Sequence, residues 1–196
     1  MIRFPWKGLL LLGGITLAAL YVVAEKVWPA SDMNDLDARG DRGLPGFPEV
    51  TASNLEGRRY TLPRDFEGDA NLCLIAFEQE QQADVDTWLE GVRPLREAPG
   101  FEVYELPTLG KGTPLFRGFL DGAMQRGIPD VRQREHTITL YLDKGEFRRT
   151  LGLPDESRVY ALLVDHAGSI LWREEGPFTG EKGRSLRAAL GDRVTD

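Results

Sequence analysis

Cys73 is the only cysteine in the 196-residue chain, so it limits the thiol chemistry that the protein can perform. One thiol cannot close an intramolecular disulfide, form a CxxC redox pair or build a multi-cysteine zinc site. Cys73 stands in the continuous apolar run 71–77, where a thiol packs as a small hydrophobic group. We expect Cys73 to be a core residue, and a thiol-dependent oxidoreductase or peroxidase that uses Cys73 is the alternative.

Four carboxylates follow this run within nine residues, at Glu78, Glu80, Asp84 and Asp86. Paired carboxylates can carry out acid–base chemistry or bind a cation. Negative charge is also favourable at the N-terminus of a helix, where it meets the positive end of the macrodipole. We interpret these residues as helix N-terminal charges, with a metal- or ligand-binding module as the alternative.

No other pattern predicts a metal, a cofactor or a nucleotide. The two histidines, His136 and His166, stand outside any HxH, HExxH or HxxE arrangement. The glycines at 110 and 112 lack the spacing of a phosphate-binding loop. With 31 acidic and 24 basic residues, a net charge of −7 and no Lys/Arg cluster, the chain is not expected to bind nucleic acid.

The first 28 residues predict a membrane segment. Residues 8–24 are free of charged side chains, and as a helix they would span roughly 25 Å, close to the minimum for crossing a bilayer. Arg3 and Lys7 precede them, which predicts an N-in, C-out orientation. In a bacterium this would be an inner-membrane, single-pass protein with its C-terminal domain on the periplasmic side. The alternative is a signal peptide cleaved near 22–24, which would leave a secreted or periplasmic protein.

Behind this segment we expect a linker over 29–43, rich in Asp, Gly and Pro, and one folded domain over 44–196. Hydrophobic patterning predicts strands at 49–54, 58–62, 71–77, 101–106, 137–142, 159–165 and 169–174. It predicts helices at 81–93, 113–126 and 179–190. Alternating strands and helices followed by a hairpin indicate an α/β fold, with a mixed sheet flanked by helices.

This order of elements, with Phe47-Pro48 before a hairpin that turns at Gly57, resembles the thioredoxin-like fold of peroxiredoxins and thiol-disulfide oxidoreductases. The resemblance covers 44–190. In that superfamily the helix after the first buried strand carries CxxC, and counting from the aromatic at the strand end puts Gln82 and Val85 in the two cysteine positions. The superfamily's cis-proline would fall near Val159, so this second feature of the family is also absent from the sequence. The resemblance therefore implies a redox-inactive member.

Three stretches resemble one branch more closely, the family of assembly factors for the membrane sector of the mitochondrial ATP synthase and its bacterial relatives. They are 82–89, 149–153, and 159–165 followed by Trp172. The family places Arg before this Trp, whereas here Leu171 precedes it. The resemblance implies a non-enzymatic, chaperone-like assembly factor without a cofactor, whose partner is a membrane protein.

On this basis we expect the contact surface to lie at the degenerate active-site end and in the insertion between two strands. The candidate contact residues are Glu78, Glu80, Asp84, Phe116, Phe119 and Trp172. For Trp172, packing in the core or at the sheet edge is the favoured interpretation, and a partner contact is the alternative.

Overall fold

The computed structural model describes residues 46–191. The expected membrane segment at 8–24 and the linker at 29–43 lie outside the described residues. Among residues 46–191, no helix has both the length and the apolar character needed to cross a bilayer.

A seven-stranded sheet with the order β2-β1-β5-β4-β3-β6-β7 forms the centre of this part of the chain. The strands are β1 (Val50–Asn54), β2 (Arg59–Leu62), β3 (Ala70–Ala76), β4 (Phe101–Gly110), β5 (Ile138–Leu142), β6 (Tyr160–Val164) and β7 (Ile170–Glu175). β3, β4 and β5 are parallel, whereas the β1–β2 and β6–β7 hairpins pair antiparallel at the two sides. The mixed sheet expected from the sequence is therefore confirmed.

Helices cover both faces of the sheet. They are α1 (Gln82–Gly91), α2 (Pro114–Gly127), α3 (Val131–Glu135), α4 (Lys144–Leu151) and α5 (Gly180–Leu190), with 3-10 turns at Gln79–Gln81 and Arg93–Leu95. The sequence-based expectation had neither α3, which lies between α2 and β5, nor α4, which lies between β5 and β6. α4 starts where the Asp143 side chain accepts the Glu146 N–H at 2.9 Å, and Gly152 (φ 64°) ends it in the left-handed region.

Alternating side chains along the strands divide the interior into two cores. The α4-side core includes Cys73, Ile75, Tyr104, Leu106 and Phe147. The α1-side core includes Leu72, Leu74, Val85, Trp88, Trp172 and Leu186, and it joins α1 and α5 to the sheet.

α2 lies on the same side of the sheet as α1. In β5, Ile138 and Leu140 belong to the α4-side core, so the intervening register sends Tyr141 to the opposite face. The Tyr141 hydroxyl donates to an Asp121 carboxylate oxygen of α2 at 2.8 Å. The buried Met124 completes this attachment of α2.

Candidate functional site

The edge where β3 ends and α1 begins is the position expected for the degenerate active site. β3 and β4 are parallel, so their carboxyl ends meet at this edge. Gln82 is the first residue of α1 and is half-buried, whereas Val85 is only 2% exposed and packs in the α1-side core. An amide and an isopropyl group occupy these positions, and neither can form a thiolate.

A buried carboxyl lies beside Gln82. Glu105 of β4 is 6% exposed and accepts a hydrogen bond from Gln133 Nε2 at 2.8 Å and a longer one from Gln82 Nε2 at 3.5 Å. Burial raises the pKa of Glu105, and the two amide donors act in the opposite direction. Asp86 of α1 also raises the pKa of Glu105, while Arg96 lowers it. The side chains therefore join α1, α3 and the sheet through a buried carboxyl whose pKa is raised.

Hydrophobic periodicity alone does not predict this cluster. In 101–106 the apolar residues alternate at Phe101 and Val103, and the next position on that face is Glu105. That break in the pattern was a signal for a buried polar residue. Gln133 is distant in sequence, and its approach depends on the crossover that brings β5 beside β4.

Gln81 fixes the loop between β3 and α1. Its side-chain oxygen accepts the backbone N–H of Phe77 at 2.8 Å and that of Glu78 at 3.3 Å. Its Nε2 donates to the Glu156 carbonyl at 2.6 Å. One buried amide thus satisfies three backbone groups, and the loop is held against the segment that follows α4.

Two of the three candidate acidic residues are exposed at this edge, Glu78 and Glu80, while Asp84 is half-buried. Lys144 Nζ lies 3.6 Å from a Glu78 oxygen and 2.5 Å from a Glu156 oxygen. The edge therefore carries charges of both signs. Within 46–191, no group of three or more His, Cys, Asp or Glu side chains is arranged to hold a metal ion.

Cys73 is fully buried in the middle of β3, between β4 and β6. Burial raises the pKa of the Cys73 thiol well above its ordinary value. Its sulfur lies 3.9 Å from the Asn71 carbonyl oxygen. A neutral thiol without access to solvent is a packing group.

Trp172 does not lie on a contact surface, which corrects that part of the expectation. It is 9% exposed, and its indole N–H donates to Ser185 Oγ at 2.9 Å. Its ring packs edge-on against Trp88, with centroids 6.0 Å apart. Trp172 therefore joins β7 to α5 and α1 inside the domain.

The candidate aromatic residues of the insertion are at the surface. Phe116 and Phe119 of α2 are each 54% exposed, and the neighbouring Leu115 is 86% exposed. Leu115 was expected only as part of the apolar side of the helix.

The position expected for the superfamily's cis-proline holds the buried Val159, directly before β6. The cis peptide bond found in residues 46–191 lies elsewhere, between Leu62 and Pro63.

A comparison with protein-family models finds no matching family, and a comparison with curated proteins finds no significant match. Similar solved structures do exist. A candidate protein disulfide isomerase from Bacteroides thetaiotaomicron is 13% identical, with a TM-score of 0.52 over 79% of this chain and 91% of its own. A candidate electron transfer protein from Aquifex aeolicus is 12% identical, with a TM-score of 0.50 over 76% of this chain and 94% of its own.

A third structure, BsSco of the Sco family of cytochrome c oxidase assembly proteins, is 14% identical, with a TM-score of 0.48 over 77% of this chain and 96% of its own. The similarity to the first two structures establishes the fold, and none of the three is described as an ATP synthase assembly factor. The described domain, a mixed sheet flanked by helices with α1 following its central strand β3, has the thioredoxin-like fold.

Proposed function

We propose that this protein is a redox-inactive, membrane-tethered thioredoxin-like protein that holds a membrane protein during its assembly. The observation that carries the proposal is the chemistry at the start of α1. Gln82 and the buried Val85 occupy the positions that the sequence resemblance assigns to the two cysteines of this fold, and Cys73 is enclosed in the core.

Thiol–disulfide exchange requires a thiolate that can reach the sulfur of another molecule. Cys73 is fully buried, and its raised pKa keeps the thiol protonated at neutral pH. Exchange through Cys73 would therefore need β3 to leave the sheet. A thiol enclosed in this way favours binding over electron transfer as the function of the domain.

The same edge has the properties of a binding surface. Glu78 and Glu80 are exposed on a loop that the Gln81 side chain holds in one conformation. A preorganised loop loses little conformational entropy when a partner binds. Its exposed carboxylates would complement basic residues of the partner.

Tethering would keep the domain close to such partners. Residues 25–45 separate the predicted membrane segment from the described domain, and a fully extended chain of that length reaches about 70 Å. A tether raises the effective concentration of the domain near other proteins of the same membrane. The resemblance of 82–89, 149–153 and 159–165 makes the ATP synthase membrane sector the first partner to test.

Site-specific photocrosslinking in membranes tests the proposal. A benzophenone amino acid replaces Glu80 at the edge, and in a matched control it replaces the exposed Glu181 of α5. We expect the probe at position 80 to crosslink a membrane protein that the probe at 181 does not reach. The double substitution Glu78→Lys and Glu80→Lys, combined with a probe at Gln79, is expected to remove that product. If positions 80 and 181 give the same products, the edge is not the binding surface.

A thiol-dependent function using Cys73 is the competing proposal, because two of the similar structures are described as a candidate disulfide isomerase and a candidate electron transfer protein. Insulin reduction and peroxide consumption by the purified full-length chain separate the two functions. We expect neither activity to exceed that of the Cys73→Ser variant. An activity that the wild-type chain has and Cys73→Ser lacks would replace the assembly function.

A further inference from the structure

α2 presents an apolar strip to solvent. Leu115, Phe119, Gly122 and Arg126 follow one another at helical spacings of four, three and four residues, so they share one side of the helix. A methyl group at Gly118 would meet no other atom within 4 Å, and one at Gly122 would meet only Arg126 Nη1, at 3.4 Å. Because the glycines carry no side chains, Leu115 and Phe119 protrude from this side of the helix.

This strip is not the side by which α2 packs on the domain. The sheet-facing side is marked by the buried Met124 and by the hydrogen bond from Tyr141 to Asp121. Thr113 caps the helix by accepting the Phe116 N–H at 3.3 Å, with Pro114 at the first helical position. The helix is thus fixed by its own cap and underside, and its apolar strip is left for another contact.

The segment that contains the strip is basic. The stretch 111–134 contains five Lys or Arg and two Asp residues, a net charge of +3, in a chain whose net charge is −7. Arg134 pairs with Glu56. Three exposed basic residues form no salt bridge with any residue of 46–191: Lys111, Arg126 and Arg132. Arg117 instead lies on the packed side of α2, with its guanidinium 5.1 Å from the centroid of the Tyr141 ring. An acidic protein therefore presents an apolar strip with unpaired basic residues near its two ends.

We propose that the strip of α2 inserts into the interfacial region of a bilayer containing anionic lipid. This inference rests on the proposed function, because it takes from it the tether that holds the domain near a membrane. Helices that combine protruding Leu and Phe with flanking Lys and Arg lie in the plane of the interface, with the apolar side buried about 5–10 Å deep. Leu115, Phe116 and Phe119 supply the apolar contact, and Lys111 and Arg126 lie at its two ends.

Charge favours lipid over the other occupants that an apolar strip could have. A second copy of this chain would bring the same unpaired basic residues to its own strip, and like charges repel. Anionic headgroups complement them, and each Lys or Arg close to such a surface adds to the attraction. The contact would also restrict rotation of the domain about its tether and so limit the directions in which the Glu78–Glu80 edge can face.

Fluorescence quenching of the full-length chain in vesicles tests the inference. Phe119→Cys introduces a thiol on the strip, and Arg149→Cys introduces one on the exposed side of α4, across the sheet. Cys73 stays unlabelled in the folded protein because it is buried. Each variant carries an environment-sensitive fluorophore and is reconstituted into mixed phosphatidylcholine–phosphatidylglycerol vesicles, with either a lipid-attached nitroxide quencher or aqueous iodide.

We expect lipid-attached nitroxide to remove most of the emission from position 119 and little of that from position 149, with iodide giving the reverse order. Adding Arg126→Glu to Phe119→Cys is expected to reduce the nitroxide quenching several-fold. Phosphatidylcholine alone or high salt should reduce it too, because the Debye length shrinks to about 3 Å at 1 M salt. Equal quenching at positions 119 and 149 would overturn the inference.

The outcomes also separate this inference from the proposed function. Lipid contact at 119 without a crosslinked partner at 80 would support the α2 inference and count against assembly. A partner at 80, with position 119 open to iodide or crosslinked to a protein, would leave assembly standing and overturn the lipid contact. Vesicle flotation provides a further check. If the full-length chain floats neither with mixed phosphatidylcholine–phosphatidylglycerol vesicles nor with phosphatidylcholine vesicles, both the tether and the α2 contact are contradicted.

Discussion

Glu105 is the residue with the least ordinary environment at the candidate site. It is 6% exposed, and its oxygens are served by two glutamine amides rather than by a lysine or arginine. Amides satisfy the oxygens without neutralising a negative charge. Burial therefore disfavours the ionised form of this carboxyl, and the two amide donors offset part of that cost.

The pKa of Glu105 is raised by burial, and the consequence for stability has a definite sign. A group with a higher pKa in the folded state stabilises the fold fully below its unfolded pKa, about 4.3 for Glu. That contribution is lost as pH rises through the folded pKa. We expect Glu105→Gln to remove this loss, so that the variant is more stable than wild type at neutral pH and its advantage shrinks toward pH 4.

Urea unfolding across this pH range measures the difference between the two proteins. Glu97→Gln is the control, because Glu97 is an exposed glutamate between the 3-10 turn Arg93–Leu95 and β4. The free energy of unfolding of the Glu97→Gln variant should equal that of wild type at each pH. A Glu105→Gln variant that is less stable than wild type at neutral pH would mean that the carboxylate is the favoured form.

α1 and α5 are held together by the ring of Phe178. A methyl group on Gly91, the last residue of α1, would lie 2.4 Å from Phe178 ring carbons, and one on Gly183 of α5 would lie 2.6 Å from Phe178 Cζ. The ring also packs edge-on against Trp88, with centroids 5.1 Å apart. Phe178 therefore has little room to move away from either glycine.

Gly→Ala substitutions should consequently have opposite effects in two helices. Gly91→Ala overpacks this contact, and we expect a loss of about 1–3 kcal/mol in the free energy of unfolding. Gly118→Ala meets no neighbour within 4 Å and should gain about 0.5–1 kcal/mol from helix propensity. Chemical denaturation of both variants measures the contrast.

A double-mutant cycle identifies the cause. On a Phe178→Ala background the ring is gone, so Gly91→Ala should no longer destabilise the domain. A loss that persists without the ring would place the problem in the backbone of α1 instead.

Most of the elements could be predicted because their periodicities are strong. All seven strands and α1, α2 and α5 overlap the predicted ranges. α4 was missed because only Phe147 and Leu151 of its eight residues are buried, too few for a convincing stripe. The end of β4 was predicted at 106 because the next residue, Pro107, is typical of a strand end. β4 instead continues to Gly110, and Pro107 lies within the ladder opposite Ala76.

The candidate site was less predictable than the fold. The positions of Gln82 and Val85 followed from counting along one segment of chain. The partners of Glu105 and Gln81 did not, because Gln133 and Glu156 arrive from distant segments through the crossovers that follow β4 and β5. Trp172 was assigned to both interior and surface because a hairpin strand has two faces, and one sequence does not say which is covered.

At the scale of the whole domain, Cys73 is a probe of unfolding. β3 lies between β4 and β6 and has a core on each face, so the thiol is enclosed on every side. Local opening of a loop or a helix end does not expose such a residue, whereas global unfolding does.

We therefore expect labelling of Cys73 by a thiol reagent to be negligible in native conditions and to rise with urea in parallel with loss of the folded signal. Fluorescence of the Trp88–Trp172 pair supplies that signal. The free energies obtained from the labelling rate and from the fluorescence transition should agree. Labelling that is fast without urea would show that β3 separates from the sheet by itself, and would give the thiol-dependent function a physical basis.

Glu105 has a consequence for anyone who wishes to give this protein electron-transfer chemistry. Gln82→Cys and Val85→Cys would restore a CxxC sequence, and the thiol at position 82 would share its surroundings with two carboxyls, since the present amide nitrogen lies 3.0 Å from Asp86 and 3.5 Å from Glu105. A carboxylate there would disfavour the thiolate and so weaken the nucleophile. Two substitutions would supply both cysteines, but efficient catalysis would also require replacing Glu105.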